Sequence, residues 1–132
     1  MGHQQKELDW NAILASVPYP LEAFAFVREG LGYAVRRVHE DPESLSEEDR
    51  HITGQQLCMG LRDLAIARYG LLAHTVLDHW HVRRTYDFGR IVFAMIDAGL
   101  MSKTSGDTIE DFHGVYDFDE AFSPEAVLAQ IG

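Results

Sequence analysis

One stretch constrains this chain more than any other. Between Thr85 and Leu100, the residues Phe88, Ile91, Val92, Met95, Ile96 and Leu100 recur at intervals that share one face of an α-helix. An apolar stripe that wide belongs against a core, so the chain is expected to pack from amphipathic helices. Trp80, Phe88, Ile91, Val92, Met95 and Ile96 are the expected centre of that core.

Other helices follow from spacing and end chemistry. Trp10, Ile13, Leu14 and Val17 predict a short first helix that stops at Pro18-Tyr19-Pro20, because proline disfavours helical geometry in the residue before it. Pro20 suits the first turn of a second helix, with Leu21, Phe24, Leu31, Val35 and Val38 on its buried face. Gly30 and Gly32 in that helix imply either close packing against another backbone or a break. His39–Arg50, with Pro42 and six carboxylates, reads as a solvated loop with one helical turn near Ser46–Arg50.

The clearest start signal belongs to the third helix. Thr53 and Gln56 have capping-box spacing, with Ile52 and Leu57 as a staple. Leu57, Leu61, Leu64 and Ala65 form its stripe, and Gly70 supplies a stop. A fourth helix is expected over 71–82, with Leu72, Val76 and Trp80 on one face, and Thr85 caps the fifth. Ser105-Gly106-Asp107 marks a turn between two short strands in 101–112. A last helix opens with Ser123 as cap, Pro124 at its first position, and Phe122 with Val127 as staple.

The fold class expected is therefore mostly α (α+β): a compact helical domain with a small β-hairpin. Residues 1–132 read as one domain. It comprises a helical N-terminal part over about 6–70, a winged-helix-like part over about 71–122, and a short C-terminal helix at 124–131. The winged-helix reading comes from element order alone (helix 71–82, turn at Arg83-Arg84, helix 85–99, hairpin), and such an order does not fix function.

At these same residues the chain resembles a family of small, uncharacterised bacterial proteins known chiefly from planctomycetes and verrucomicrobia. The resemblance lies in Tyr19-Pro-Leu-Glu-Ala-Phe-Ala-Phe-Val27, Gly54-Gln-Gln-Leu57, Gly60-Leu-Arg-Asp63, Leu77-Asp-His-Trp80, Arg84-Thr-Tyr-Asp-Phe-Gly-Arg-Ile-Val-Phe93 and Tyr116-Asp-Phe-Asp-Glu-Ala-Phe122. It spans about residues 19–122. What it implies is a compact cytoplasmic domain, with no activity, cofactor or functional residue attached.

Charge bears on partners. The formal net charge is -10. Residues 60–103 carry six basic and four acidic groups, whereas 104–132 carry seven acidic and no basic ones. Clustered carboxylates repel phosphate backbones, so nucleic acid and anionic membranes are disfavoured partners. Cys58 is the single cysteine, which excludes an intrachain disulfide. With no leader-like or spanning apolar run, a cytoplasmic location is expected.

Several residues are candidates for chemistry. His74 and Asp78 share a helix face at a spacing that can bind one metal ion, with His51 and His113 as distant ligands. The favoured reading is a surface histidine beside its carboxylate. Cys58, on an apolar face, reads as a small buried hydrophobe and not as a nucleophile. Asp117, Asp119 and Glu120 offer oxygens to a hard cation but lack the loop pattern of a calcium hand. Arg83, Arg84 and Arg90 are the one basic cluster, where a winged helix would begin to contact DNA. Their favoured role is pairing with carboxylates of the acidic segment. That segment carries Phe112, Tyr116, Phe118 and Phe122, so it is expected to dock, because exposed rings gain nothing from water.

No phosphate loop, CxxC pair, nucleophile elbow or HExxH motif is present. The function expected is therefore a protein-binding or regulatory module without a cofactor. Its binding residues would be Arg83, Arg84, Arg90, Tyr116 and Phe118, with its oligomeric state open. The alternatives are a winged-helix DNA-binding regulator and a metal-assisted enzyme using His74 and Asp78.

Overall fold

The computed structural model describes residues 10–46, 49–102 and 107–131. The expected helical start near residue 6 and the Ser105-Gly106 turn lie outside the described residues. Among the described residues, seven α-helices follow in chain order: α1 Trp10–Ser16, α2 Leu21–Val38, α3 Gly54–Tyr69, α4 Ala73–His79, α5 Thr85–Asp97, α6 Phe118–Ala121 and α7 Pro124–Ile131. Single 3-10 turns form at Pro42–Ser44, Gly70–Leu72 and Ile109–Phe112. No described helix is long and apolar enough to cross a membrane.

The expected β-hairpin is the main correction. Among the described residues there is no strand, and the half of the hairpin that should follow Asp107 is a 3-10 turn. The Thr108 N–H donates to the Asp111 carboxylate at 3.1 Å, and the Asp111 N–H donates to the Thr108 carbonyl at 3.1 Å. These local bonds satisfy the backbone without a partner strand. The turn drops Phe112 onto α5, where a Cβ added to Gly89 would lie 2.8 Å from the Phe112 side chain. The Thr85 hydroxyl donates to the Phe112 carbonyl at 2.7 Å and accepts from the Val115 N–H at 3.1 Å. With the hairpin goes the wing of the winged-helix reading.

The centre of the molecule is the α2–α3 pair. α3 starts as its sequence predicts: the Gln56 N–H donates to Thr53 Oγ1 at 3.0 Å, and the Thr53 N–H donates to Gln56 Oε1 at 2.8 Å. Ile52 and Leu57 are both buried beside this cap. The helix stops where Gly70 takes φ +55°, a conformation that disfavours a side chain.

α2 is one unbroken helix, but its buried face differs from the expected one. Ala23, Phe24, Phe26, Val27, Gly30 and Ala34 face inward, while Leu21 and Val38 are exposed. The reason is close helix–helix approach. A Cβ on Gly60 would stand 2.5 Å from the Ala34 Cβ, and one on Gly30 would stand 2.1 Å from a Leu61 methyl. The small residues Gly30 and Ala34 therefore mark where α3 comes closest.

α4 is also re-phased. Ala73 and Leu77 are its buried residues, in place of Leu72, Val76 and Trp80, because the chain turns at Gly70 before the helix begins. Trp80 is half-buried, with its ring centroid 5.6 Å from Phe26 and 6.1 Å from Tyr69. In α5, Phe88, Ile91, Val92 and Met95 are buried as expected, with Ile96 and Leu100 half-buried. Arg84, not Thr85, occupies the cap position of this helix.

Two carboxylates lie inside the fold. Asp63 on α3 bonds Arg37 of α2 at 2.8 Å, Arg62 at 2.9 Å and Gln130 of α7 at 3.0 Å. Asp87 on α5 accepts from the N–H groups of Arg83 and Arg84 at 2.9 and 3.2 Å, and from the Tyr19 hydroxyl.

Candidate functional site

The acidic-aromatic segment 112–122 packs onto the body of the molecule, and this docking builds the surface described here. Phe112, Phe118 and Phe122 are buried. The rings of Tyr116 and Phe118 stack at 5.9 Å, and Phe122 meets Phe118 edge-on at 5.2 Å. The Tyr116 hydroxyl donates to the Cys58 carbonyl at 2.8 Å, and burial holds its pKa well above the usual phenol value. Clustered rings offset the ordering of the backbone between them.

The segment delivers the chain to α7. That helix starts with the expected chemistry: the Ala126 N–H donates to Ser123 Oγ at 3.1 Å, Pro124 is its first residue, and Phe122 and Val127 are both buried. Gln130 then ties the helix to Asp63. With Val127 turned inward, Leu128 and Ile131 turn outward, 55% and 58% exposed.

The 3-10 turn at Gly70–Leu72 packs beside α7. A Cβ on Gly70 would lie 3.7 Å from the end of the Ile131 side chain. The next two residues, Leu71 and Leu72, are 59% and 63% exposed. Four large aliphatics from two adjacent elements thus stand more than half in water at one corner. Asp119, Glu120 and Glu125, all exposed, belong to α6 and α7 beside it. A cluster of exposed apolar side chains rimmed by polar ones is typical of a protein-docking surface.

The residues singled out in the sequence do not gather here as one site. Tyr116 and Phe118 pack against the core and hold the segment down. The three arginines diverge. Arg83 Nε donates to Asp78 at 2.7 Å, the Arg84 guanidinium lies 5.7 Å from the Tyr86 ring, and the Arg90 guanidinium lies 5.4 Å from the Tyr19 ring. The expected ion pairs between these arginines and the acidic segment give way to these partners. Sequence neighbours at a helix start point in different directions, which is why a linear cluster does not become a basic patch.

His74 and Asp78 stay on one face of α4, but each takes a further partner. Arg83 holds the Asp78 carboxyl below its usual pKa. His74 lies against the rings of Phe118 and Phe122 and 3.9 Å from Asp119. Elsewhere His51 Nε2 sits 3.1 Å from Asp107, and His113 meets the Tyr86 ring. Among the described residues no three His, Cys, Asp or Glu side chains converge as metal ligands would. Asp117 caps α6, accepting from the Asp119 N–H at 2.7 Å. Cys58 is fully buried, and burial pushes its thiol up to about 12, so at neutral pH it is an unionised apolar group.

The corner itself was missed by sequence reading. The signal was present: Gly70 ends one helix, and two leucines follow before the next periodic residue. No known protein family, curated protein or solved structure matches the chain.

Proposed function

We propose that this chain is a protein-binding module that docks a partner on the corner formed by Leu71, Leu72, Leu128 and Ile131. The observation that carries the reading is the exposure of these four side chains on two packed elements. Removing them from water on docking is favourable in proportion to the area covered. The acidic residues beside the corner favour a partner whose apolar contact is ringed by Lys or Arg, since complementary charge steers association.

The reading is tested by affinity capture from cells that naturally express the protein. Wild type is compared with the double variant Leu72→Asp, Leu128→Asp, both sites being exposed so that folding is preserved. A protein retained by wild type and depleted at least tenfold from the double variant is the expected result. Identical capture profiles from two equally folded proteins would remove the corner as the docking surface.

A further inference from the structure

Where residues 42–46, 49–54, 99–102 and 107–112 meet α2 and α5, two neighbouring basins share five residues. The larger, about 720 Å³, is walled by Leu31 and Val35 of α2, Ile52 and Leu57 at the start of α3, and Val92 and Ile96 of α5. Its volume falls within the usual range for small-ligand sites. The smaller, about 480 Å³, holds Arg28, Arg36 and Arg50 against a single carboxylate, Glu43. Leu31, Val35, Arg50, Leu100 and Met101 line both.

Arg50 stands at this junction, and its Nε is buried without a hydrogen-bond partner. Buried polar groups are nearly always paired, so an orphan donor calls for a specific acceptor. Among the described residues, the side chains of Arg28 and Arg36 likewise make no hydrogen bond or ion pair. In a chain of net charge -10, three arginines and one carboxylate, Glu43, among the described residues around one hollow are a local reversal of sign. Two aspartates do line the larger basin. Asp107 contacts His51 and Asp111 caps Thr108, and neither lines the arginine basin.

We propose that the paired basins bind a small anionic amphiphile. Its apolar body fills the larger basin, and its carboxylate or phosphate head lies on Arg50 with Arg28 and Arg36. Guanidinium groups match both headgroups through forked, charge-assisted bonds. The aliphatic walls take up a chain or ring that water would otherwise hydrate unfavourably. A polar anion alone would leave those walls wet, and a neutral amphiphile would leave the Arg50 donor unpaired. This site is separate from the Leu72 corner, and its test uses the purified protein with no partner present.

Decanoate and decyl phosphate are titrated separately into the protein below their micelle concentrations, with heat of binding as the readout. Saturable binding of either one supports the proposal, and the tighter of the two identifies the headgroup. Decanol, and acetate with inorganic phosphate, should each bind at least tenfold more weakly. Arg50→Met should weaken the tighter ligand at least tenfold. The double variant Arg28→Gln, Arg36→Gln, on exposed positions that folding does not need, should weaken it at least threefold. The proposal is overturned if neither ligand saturates, if decanol or the headless anions bind as tightly, or if the arginine variants bind like wild type.

Discussion

The two carboxylates buried among the described residues are neutralised in opposite ways. Asp63 is met by ionised side chains that reach in from the surface: Arg37, whose side chain is 52% exposed, and Arg62, 29% exposed. Asp87 is met from within, by two backbone N–H groups and by the hydroxyl of Tyr19, itself buried. A guanidinium at the surface can turn back to water when its partner is lost. A buried hydroxyl or amide has nowhere to go, so its desolvation cost stays in the folded state. The two sites therefore differ less in how strongly each carboxylate is held than in what its removal leaves behind.

The largest expected effect follows from that difference. Asp87→Ala orphans the Tyr19 hydroxyl and the Arg83 and Arg84 amides, and it removes the acidic group from the first turn of α5. The loss should be about 3–5 kcal/mol, from a buried hydroxyl and two part-buried amides left unpaired at about 1–3 kcal/mol each. Urea denaturation measures it, and a loss below about 1 kcal/mol would show that water takes the carboxylate's place. Asp63→Ala should cost less, about 1–3 kcal/mol, because its arginines rehydrate and Gln130 is exposed. Equal losses at the two positions would erase the distinction drawn between them.

Tyr19 sharpens it from the other side. Tyr19→Phe keeps the ring and removes only the hydroxyl donor, an expected loss of about 1.5–3 kcal/mol for a hydrogen bond to a charged group. The same variant has a pH signature. Burial, and then the Asp87 bond, hold the Tyr19 phenol above its ordinary value of 10.0. As pH rises through that ordinary value, the unfolded chain releases a proton that the folded chain keeps, so stability falls. Its contribution is intact below pH 10 and is lost as the pH climbs toward the raised value. Stability curves at pH 8 to 11 should fall less steeply for Tyr19→Phe than for wild type, by up to ~1.4 kcal/mol per pH unit. Parallel curves would mean that Tyr19 titrates as it does when unfolded. Tyr116 and Cys58, also raised by burial, keep part of the alkaline slope in both proteins.

These contacts also show where sequence reading reaches. The starts of α3 and α7 were legible because Thr53 with Gln56, and Ser123 with Pro124, act within one turn of themselves. The docking of 112–122 was legible because four rings among carboxylates have no use in water. What was hidden is settled by distant partners. The face of α2 follows Gly30 and Ala34, whose smallness matters only once α3 lies against them. The hairpin failed because Thr108 and Asp111 close a local turn that a strand pattern does not weigh. Asp63 and Asp87 look like ordinary surface carboxylates until Arg37, Gln130 and Tyr19 arrive from 26, 67 and 68 residues away. The apolar corner was hidden for a related reason: only the turn at Gly70 puts Leu71 and Leu72 outside.

The smallest expected effect is the response to salt, and it isolates the kind of partner from the strength of the contact. At 0.1 M ionic strength the screening length is about 10 Å, and at 1 M it is about 3 Å. Arg37 lies half in solvent and 2.8 Å from the Asp63 carboxylate, so mobile ions reach its guanidinium and weaken the pair. Asp63 itself stays dry, which limits the loss. Asp87 is bonded by two amide N–H groups and a hydroxyl that the fold holds in place, with the Arg90 guanidinium one contact further off, against Tyr19. Raising sodium chloride from 0.1 to 1 M should therefore shrink the cost of Asp63→Ala by about 0.5 kcal/mol, within the range of a single exposed ion pair. The cost of Asp87→Ala should not change. General effects of salt on burial act on wild type and variant alike and cancel in each difference. If both costs shrink together, Asp87 is compensated by a charge that reaches solvent, with Arg90 beside Tyr19 as the nearest source. If neither shrinks, Arg37 and Arg62 hold Asp63 by geometry, and their exposure does not matter.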